Sequence, residues 1–332
     1  MKLSILEQVP IAQGESANDA LHASLELAKL GDKLGYTRFW VAEHHDLPGL
    51  ACPAPDVLLG MIGQKTTNIR IGSGAVLLPH YKPFNIAERY NLLATLFPER
   101  VDLGIGRAPG GSAEATMALA DNFLEQVRHM PERLNELLHF LNNNFPDTHM
   151  FSKISPAPVP HASPEPWLLG TSEKSAYLAA EKGMAYAFGH FMSDKDGPQI
   201  METYREELQK KHPKKHAKTI VAVTVFCAET TEKAADMALS SQLWKIKQDK
   251  GEAIAGLPTV EEAKAYAYTN EEKETVKNMQ EKAVIGNPAE VKGQLLALQD
   301  RYKAEEFMLV TNTHNRSDRL NSYRLIAKEM FK

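Results

Sequence analysis

Cysteine is almost missing from this chain: Cys52 and Cys227 are the only two in 332 residues, and neither sits in a CxxC pair. That excludes a disulfide scaffold or a cysteine-rich zinc module and suits a reducing compartment. Long apolar runs are lacking as well, since none approaches the ~20 residues a membrane span requires. The N-terminus has one lysine and a short apolar patch cut by Glu7, which is no signal peptide, so a soluble, cytoplasmic protein is expected. There is no excess of charge of either sign. The 38 basic and 42 acidic residues leave a formal charge of −4, which gives no basic footprint for nucleic acid. HExxH, GxSxG and Walker A patterns do not occur, and the routes to hydrolysis and nucleotide binding that depend on them fall away. No internal repeat, low-complexity tract or interdomain linker is present.

What the sequence does have is rhythm. Hydrophobic residues make up 43% and charged residues 24%, near the globular average. A chain of this length folds as two domains or as one α/β barrel, and one compact body would bury roughly 75% of its unfolded surface without a covalent staple. Lys2–Leu6, Thr37–Ala42, Ile69–Leu78, Val101–Ile105, Trp167–Gly170, Ala185–Phe188, Thr219–Phe226 and Phe307–Val310 read as strands. A helix opened by Ser16, with Asp19 as its capping partner, stops at Gly35. Further helices are expected over 53–61, 86–97, 114–143, 172–182, 199–210, 232–247 and 318–330. Eight strands each leading to a helix predict a closed parallel sheet, the (β/α)8 TIM barrel, as a single domain over 1–332; an open doubly wound sheet is the competing architecture. Two stretches break the beat. Residues 146–166 hold six prolines and read as an excursion over the surface. Residues 248–281, charged and interrupted by Gly251, Gly256 and Pro258, read as a rim insertion, either a lid or a solvated helical insert.

In such a barrel the chemistry gathers at the carboxyl ends of the strands. Those ends supply Glu43-His44-His45, Gly72-Ser73-Gly74-Ala75, Gly106-Arg107, Gly170-Thr171-Ser172, Gly189-His190 and Thr311-Asn312. The run Glu43-His44-His45-Asp46 closes a buried strand with ionisable groups, where burial and neighbours tune them. Alternation puts Glu43 and His45 on one face and His44 and Asp46 on the other. Adjacent residues that point apart make poor metal ligands, which weighs against a metal hydrolase. Gly170-Thr171-Ser172-Glu173-Lys174-Ser175 leads from a strand into a helix start, which is either an ordinary N-cap or an anion site. Arg107 can supply bidentate bonds to the same anion. Gly104-x-Gly106-x-x-Pro109 imitates a dinucleotide fingerprint but has proline in place of the third glycine. Tyr81, Phe188, His190, Phe191 and Met192 are candidates for a substrate pocket or for plain packing.

These residues carry a resemblance. Trp40-Val41-Ala42-Glu43-His44-His45, Gly72-Ser73-Gly74-Ala75-Val76-Leu77-Leu78-Pro79, Arg100-Val101-Asp102-Leu103-Gly104-Ile105-Gly106-Arg107 and Val310-Thr311-Asn312-Thr313-His314 resemble the bacterial luciferase-like flavin monooxygenases, nearly end to end and in motif order. The resemblance implies a barrel that binds reduced FMN, supplied by a separate NAD(P)H:flavin reductase, and uses it with O2 to oxygenate a small organic substrate. It implies His44 as the catalytic acid–base residue beside the ring. It also implies a non-prolyl cis peptide at Gly74–Ala75 packed against the ring, with phosphate ligands at Arg107, Ser172 and Ser175. Glu43 steadies the cluster, residues 248–281 form a mobile lid, and a homodimer forms through helices near 53–64 and 85–96. Two departures bear on function. Gly106 stands where light-emitting members carry cysteine, and Ala108-Pro109-Gly110-Gly111 is unlike the luminous branch, so a non-luminous member is expected and the aldehyde substrate does not transfer. An F420-dependent oxidoreductase of the same fold, or a flavin-binding protein without turnover, stays as the alternative.

Overall fold

Every second side chain of a strand faces the same way, and in this chain the period-two rows close on themselves. The computed structural model describes residues 1–252 and 256–331. Nine strands run in chain order: β1 (Lys2–Glu7), β2 (Arg38–Val41), β3 (Arg70–Leu77), β4 (Val101–Gly106), β5 (Glu165–Gly170), β6 (Ala185–Gly189), β7 (Thr219–Cys227), β8 (Val284–Gly286) and β9 (Glu306–Val310). All pair in parallel in the order β6-β5-β4-β3-β2-β1-β9-β7, and a β6–β7 pairing seals the ring. The fold is a (β/α)8 barrel. Its eight staves are the eight strands expected from sequence, while β8 is an extra strand of three residues paired to the end of β7.

The helices are α1 (Ala17–Leu34), α2 (Pro55–Lys65), α3 (Pro83–Leu96), α4 (Ala113–Leu119), α5 (Phe123–Arg128), α6 (Met130–Asn142), α7 (Glu173–Glu181), α8 (Gly197–Lys211), α9 (Thr231–Asp249), α10 (Val260–Ala265), α11 (Asn270–Lys282), α12 (Pro288–Tyr302) and α13 (Arg316–Met330). Local chemistry fixes the ends. Ser16 and Asp19 form the expected capping box, and Gly35 at φ 85° closes α1. The single helix expected over 114–143 is three. Asn122 starts a new cap by accepting the Glu125 N–H at 3.3 Å, and Pro131, with no N–H to give, sits in the first turn of α6. The rim insertion folds as α10 and α11; its residues 253–255 lie outside the described residues. Sequence periodicity gave no warning of α12. Residues 146–164 are turns and irregular chain, tied to α3 by the Asn91 side chain, which donates to the Pro156 carbonyl at 2.9 Å, and Glu165 and Pro166 already belong to β5.

Inside the barrel the rows form layers. The floor is charged. Arg38 donates to Asp102 at 2.8 Å and to Glu306 at 2.9 Å. Arg70 and Trp40 also donate to Asp102, each at 2.9 Å, and the Ser4 hydroxyl donates to Glu306 at 2.5 Å. The Arg38 guanidinium lies 4.7 Å from the Trp167 ring centroid, close enough for cation–π attraction. Burial opposes the Arg38 charge, but Asp102 and Glu306 outweigh it and raise its pKa. Burial also raises the Glu306 carboxyl, although Arg38 and Ser4 pull the other way. Above this plug sit Leu6, Trp40, Trp167, Ile220 and Met308, all buried. Removing one partner of a buried ion pair leaves the other charge without compensation. Arg38→Leu is therefore expected to lower stability by about 3–5 kcal/mol, and adding Glu306→Leu should recover part of the loss. Urea unfolding of the two variants checks this; an Arg38→Leu protein as stable as the parent refutes the account.

Candidate active site

The third inward layer, at the carboxyl ends, is built from the smallest residues: Ala42, Gly74, Gly106, Ala187 and Ala222 line a cavity of about 350 Å³. Side chains that would fill the barrel top are absent, so the mouth is hollow. The cavity runs from this slot out to Arg107, Ala108, Gly170, Ser172 and Ser175. The peptide bond between Gly74 and Ala75 on its wall is cis. A second cavity of about 630 Å³ lies between the rim and the helices α9 and α11. Gln8, His44, Phe191 and Met192 line both cavities. His44 thus stands where two chambers meet.

The chain leaves β2 at Val41, and Asp46 turns back with φ 46°, which presents His44 and His45 to different surroundings. Glu43, 4% exposed, is the anchor. One carboxylate oxygen accepts from the Tyr81 hydroxyl and is bonded to the His45 Nε2, both at 2.8 Å, and the other accepts the Leu77 N–H at 3.2 Å. Burial, followed by the charge of Glu43, pushes the Tyr81 phenol upward. The expected sharing of a face by Glu43 and His45 is therefore seen as a direct bond. His44 Nδ1 has no partner among the described residues. Burial, helped by the neighbouring His45, pushes the His44 imidazole down to about 4, so it is neutral at pH 7.

At the far end of the first cavity, Ser172 precedes α7 and Ser175 closes the first turn. The Ser175 hydroxyl takes the Ser172 N–H at 3.2 Å, donates to the Ser172 carbonyl at 2.6 Å and lies 2.9 Å from the Tyr186 hydroxyl. Its capacity is largely spent on the helix start, and the Ser172 hydroxyl, 3.4 Å from it and part of the same capping box, also lines the cavity. Gly170 is required here because a Cβ would run into the Ser175 side chain. Arg107 is exposed and has neither an ion pair nor a hydrogen bond among the described residues. It is near enough to Tyr186 to oppose the upward push of burial on that phenol, which stands at about 12. A guanidinium unpaired among the described residues, a hydroxyl lining the cavity and the N–H groups of a helix start make a site for a phosphate. A slot lined with glycine and alanine beside them has room for a flat ring. These residues fit a phosphorylated ring cofactor such as FMN.

All the residues anticipated from sequence, His44, Gly74, Ala75, Arg107, Ser172 and Ser175, line this one cavity. Of the pocket candidates, Phe188, Phe191 and Met192 also line it. Tyr81 instead serves Glu43, and His190 lies behind the wall with its Nδ1 2.8 Å from the Tyr302 hydroxyl. Sequence reading missed Gln8, the alanine layer, and the α9 residues Gln242 and Trp244 of the second chamber. The alanines were visible as small residues at period two; the α9 residues belong to a helix whose facing partner could not be read.

The fold and this rim define the class first: a (β/α)8-barrel protein with its ligand site at the carboxyl ends of the strands. The family follows. The profile of the luciferase-like monooxygenases matches residues 1–304, and the chain belongs to that family of oxidoreductases. It is 35% identical to the N-acetyl-S-alkylcysteine monooxygenase of Bacillus subtilis (strain 168), covering 98% of this chain and 97% of the relative. The crystal structure of apo-MsnO8 superposes with a TM-score of 0.90 at 35% identity, covering 99% of this chain and 98% of the other. The oxygenating constituent of 3,6-diketocamphane monooxygenase from Pseudomonas putida, in complex with FMN, shares the fold at a TM-score of 0.73 and 19% identity, covering 99% and 97%. No helix among the described residues is long and apolar enough to cross a membrane.

The buried His44 gives a pH prediction. Its folded-state pKa of about 4 lies below the ordinary 6.5. Between those values the unfolded chain binds the proton and the folded one does not, so stability falls as pH drops through this window. The wild type should lose ~2 kcal/mol more than His44→Gln on acidification from pH 6.5 to about 4. Thermal or urea unfolding across that range tests it, and parallel stability curves for the two proteins refute it.

Proposed function

We propose that this protein is the oxygenating component of a two-component monooxygenase, which takes reduced FMN from a separate NAD(P)H:flavin reductase and uses it with O2 on a small organic substrate. The observation that carries the reading is the convergence of Arg107, Ser172 and the neutral His44 on one cavity floored by the Gly74–Ala75 segment. Arg107 and Ser172 would hold the phosphate, with Ser175 setting the helix start behind it. Gly74 and Ala75 would lie against the ring. When bound, reduced FMN supplies the electrons that activate O2. His44, uncharged and with Nδ1 free, would hold or move a proton at that nitrogen. Leu6, Phe191 and Met308 keep water from the slot. The name of the Bacillus relative carries a sulfur substrate, and for this chain we take over only the class, a small molecule with an oxidisable group.

Arg107→Ala should weaken reduced-FMN binding by about 30–100-fold, the worth of a charge-assisted bidentate contact, while riboflavin binding stays as it was. Anaerobic titration followed by flavin fluorescence measures both, with reduced F420 as the comparison cofactor. Tighter binding of F420 than of FMN would overturn the choice of cofactor. Rapid mixing of the FMN complex with O2 tests turnover: reoxidation no slower than that of free flavin, and unaffected by His44→Ala, would argue for a binding protein without oxygenase chemistry.

We also propose a homodimer through α2 and α3. Val57, Met61, Leu92 and Leu96 are 68%, 51%, 49% and 58% exposed, an apolar face that a solitary barrel would present to water. Arg89 and Asp56, 3.5 Å apart, join the two helices beside it. Met61→Glu combined with Leu92→Glu should shift the sedimentation coefficient from dimer to monomer with the fold intact by circular dichroism. A parent protein that already sediments as a monomer sinks the dimer.

A further inference from the structure

The second chamber, of about 630 Å³, has a polarity of its own. Leu47, Leu50, Phe191 and Phe226 give it apolar surface on the barrel side with His44, alongside the polar Gln8, Thr224 and Asn312. Its polar side comes from α9 and α11. Gln242, Lys245 and Gln248 recur every third residue along α9, and Lys282 ends α11; all four line the cavity. Gln242 is only 2% exposed, yet its one side-chain bond is a long contact of 3.4 Å from Gln280 to its Oε1. The Gln248 amide nitrogen, two places further along the same row and also lining the cavity, is buried with no partner among the described residues. A buried donor is normally satisfied, so an unsatisfied one beside a cavity points to a ligand acceptor.

The charges at the rim have the matching sign. Lys245 is paired with Asp249, both 52% exposed, and Lys282 with Asp194, which is 93% exposed. Exposed pairs of this kind hold their lysines weakly, so a ligand oxygen can replace the carboxylate at little cost. Asp194 is the one acidic residue lining the chamber, against two lysines. Donors and cations on one side, with apolar surface toward His44 on the other, are complementary to a molecule with one anionic end.

Resting on the oxygenase reading above, we propose that this chamber takes a small organic acid, with its apolar part toward His44 and its carboxylate received by Gln248, Lys245 and Lys282. The experiment is isothermal titration of the FMN-loaded protein with N-acetyl-L-methionine, N-acetyl-L-leucine and hexanoic acid, each against its methyl ester, so that body and shape stay the same while the charge is removed. At low salt at least one acid should bind about 10-fold more tightly than its ester, and the preference should shrink as salt is raised. Lys245→Gln with Lys282→Gln, both at the rim and outside the fold's interior, should bring acid and ester to within about 2-fold. Gln248→Leu should weaken the acid and spare the ester. Esters that bind as well as the acids, a preference that survives the double variant, or no binding by any acid of the set each overturn the proposal. Flavin fluorescence in the same samples separates the two readings: FMN bound with no acid preference sinks the chamber assignment alone, and acid preference without FMN affinity sinks the oxygenase reading alone.

Discussion

A parallel barrel has to fill its own axis, and here the filling is a guanidinium. Arg38 reaches the centre of the floor and is met there by Asp102 and Glu306, with the Trp167 ring against its guanidinium. Charges so deep are stable only when each lone pair and proton has a partner, and Ser4, Trp40 and Arg70 supply the rest. With the floor and middle layers made rigid in this way, the top layer can be left empty. The Gly74, Gly106, Ala42, Ala187 and Ala222 positions occupy the same rows two residues further along each strand, where filling would have removed the site.

The emptiness sets the electrostatics of the rim. Glu43 is buried but satisfied from three sides, by His45, Tyr81 and the Leu77 amide. It binds the end of β2 to the end of β3 and so fixes the ground from which His44 projects. The same apolar wall that holds His44 disfavours its charged form, as desolvation does for any imidazole. Two adjacent histidines thereby take different tasks: His45 steadies a carboxylate, and His44 is left neutral with an open nitrogen. Arg107 is the reverse case, a charge left unpaired in water at the other end of the slot.

The barrel was legible because its eight staves are apolar runs separated by helices with strong caps, and period and capping are local properties. Residues 41–46, 104–107 and 170–175 were legible as a site because each follows a strand, and strand ends share a rim whatever the loops do. What escaped was non-local. Arg38, Asp102 and Glu306 are ordinary charged residues in sequence and meet only through the ring. The break of the 114–143 helix hung on single residues, Asn122 and Pro131, against an otherwise helical pattern. The helix Pro288–Tyr302 lay beside a charged insertion that masked its amphipathic face. Gln242 and Trp244 read as part of a surface helix because nothing in α9 tells that α11 and the rim fold over it.

This division has a consequence for how such a protein can change. The first cavity is made of strand ends held by the barrel's own hydrogen bonds, so a substitution at Gly106 or Ala187 is felt by the staves on either side. The second chamber meets the staves at Thr224, Phe226 and Val310, but its outer wall is α9, α11 and the β6–α8 turn, none of them a stave of the ring. Its polar residues sit on helix faces, where a lysine, glutamine or leucine is accommodated at little cost to the fold. The two cavities are therefore carried by different parts of the fold, the staves and the helices over them, and touch at Gln8, His44, Phe191 and Met192. A fold that keeps the first cavity fixed on the staves can vary the second by rewriting the faces of two helices, which is where the lysines and the unsatisfied Gln248 amide stand.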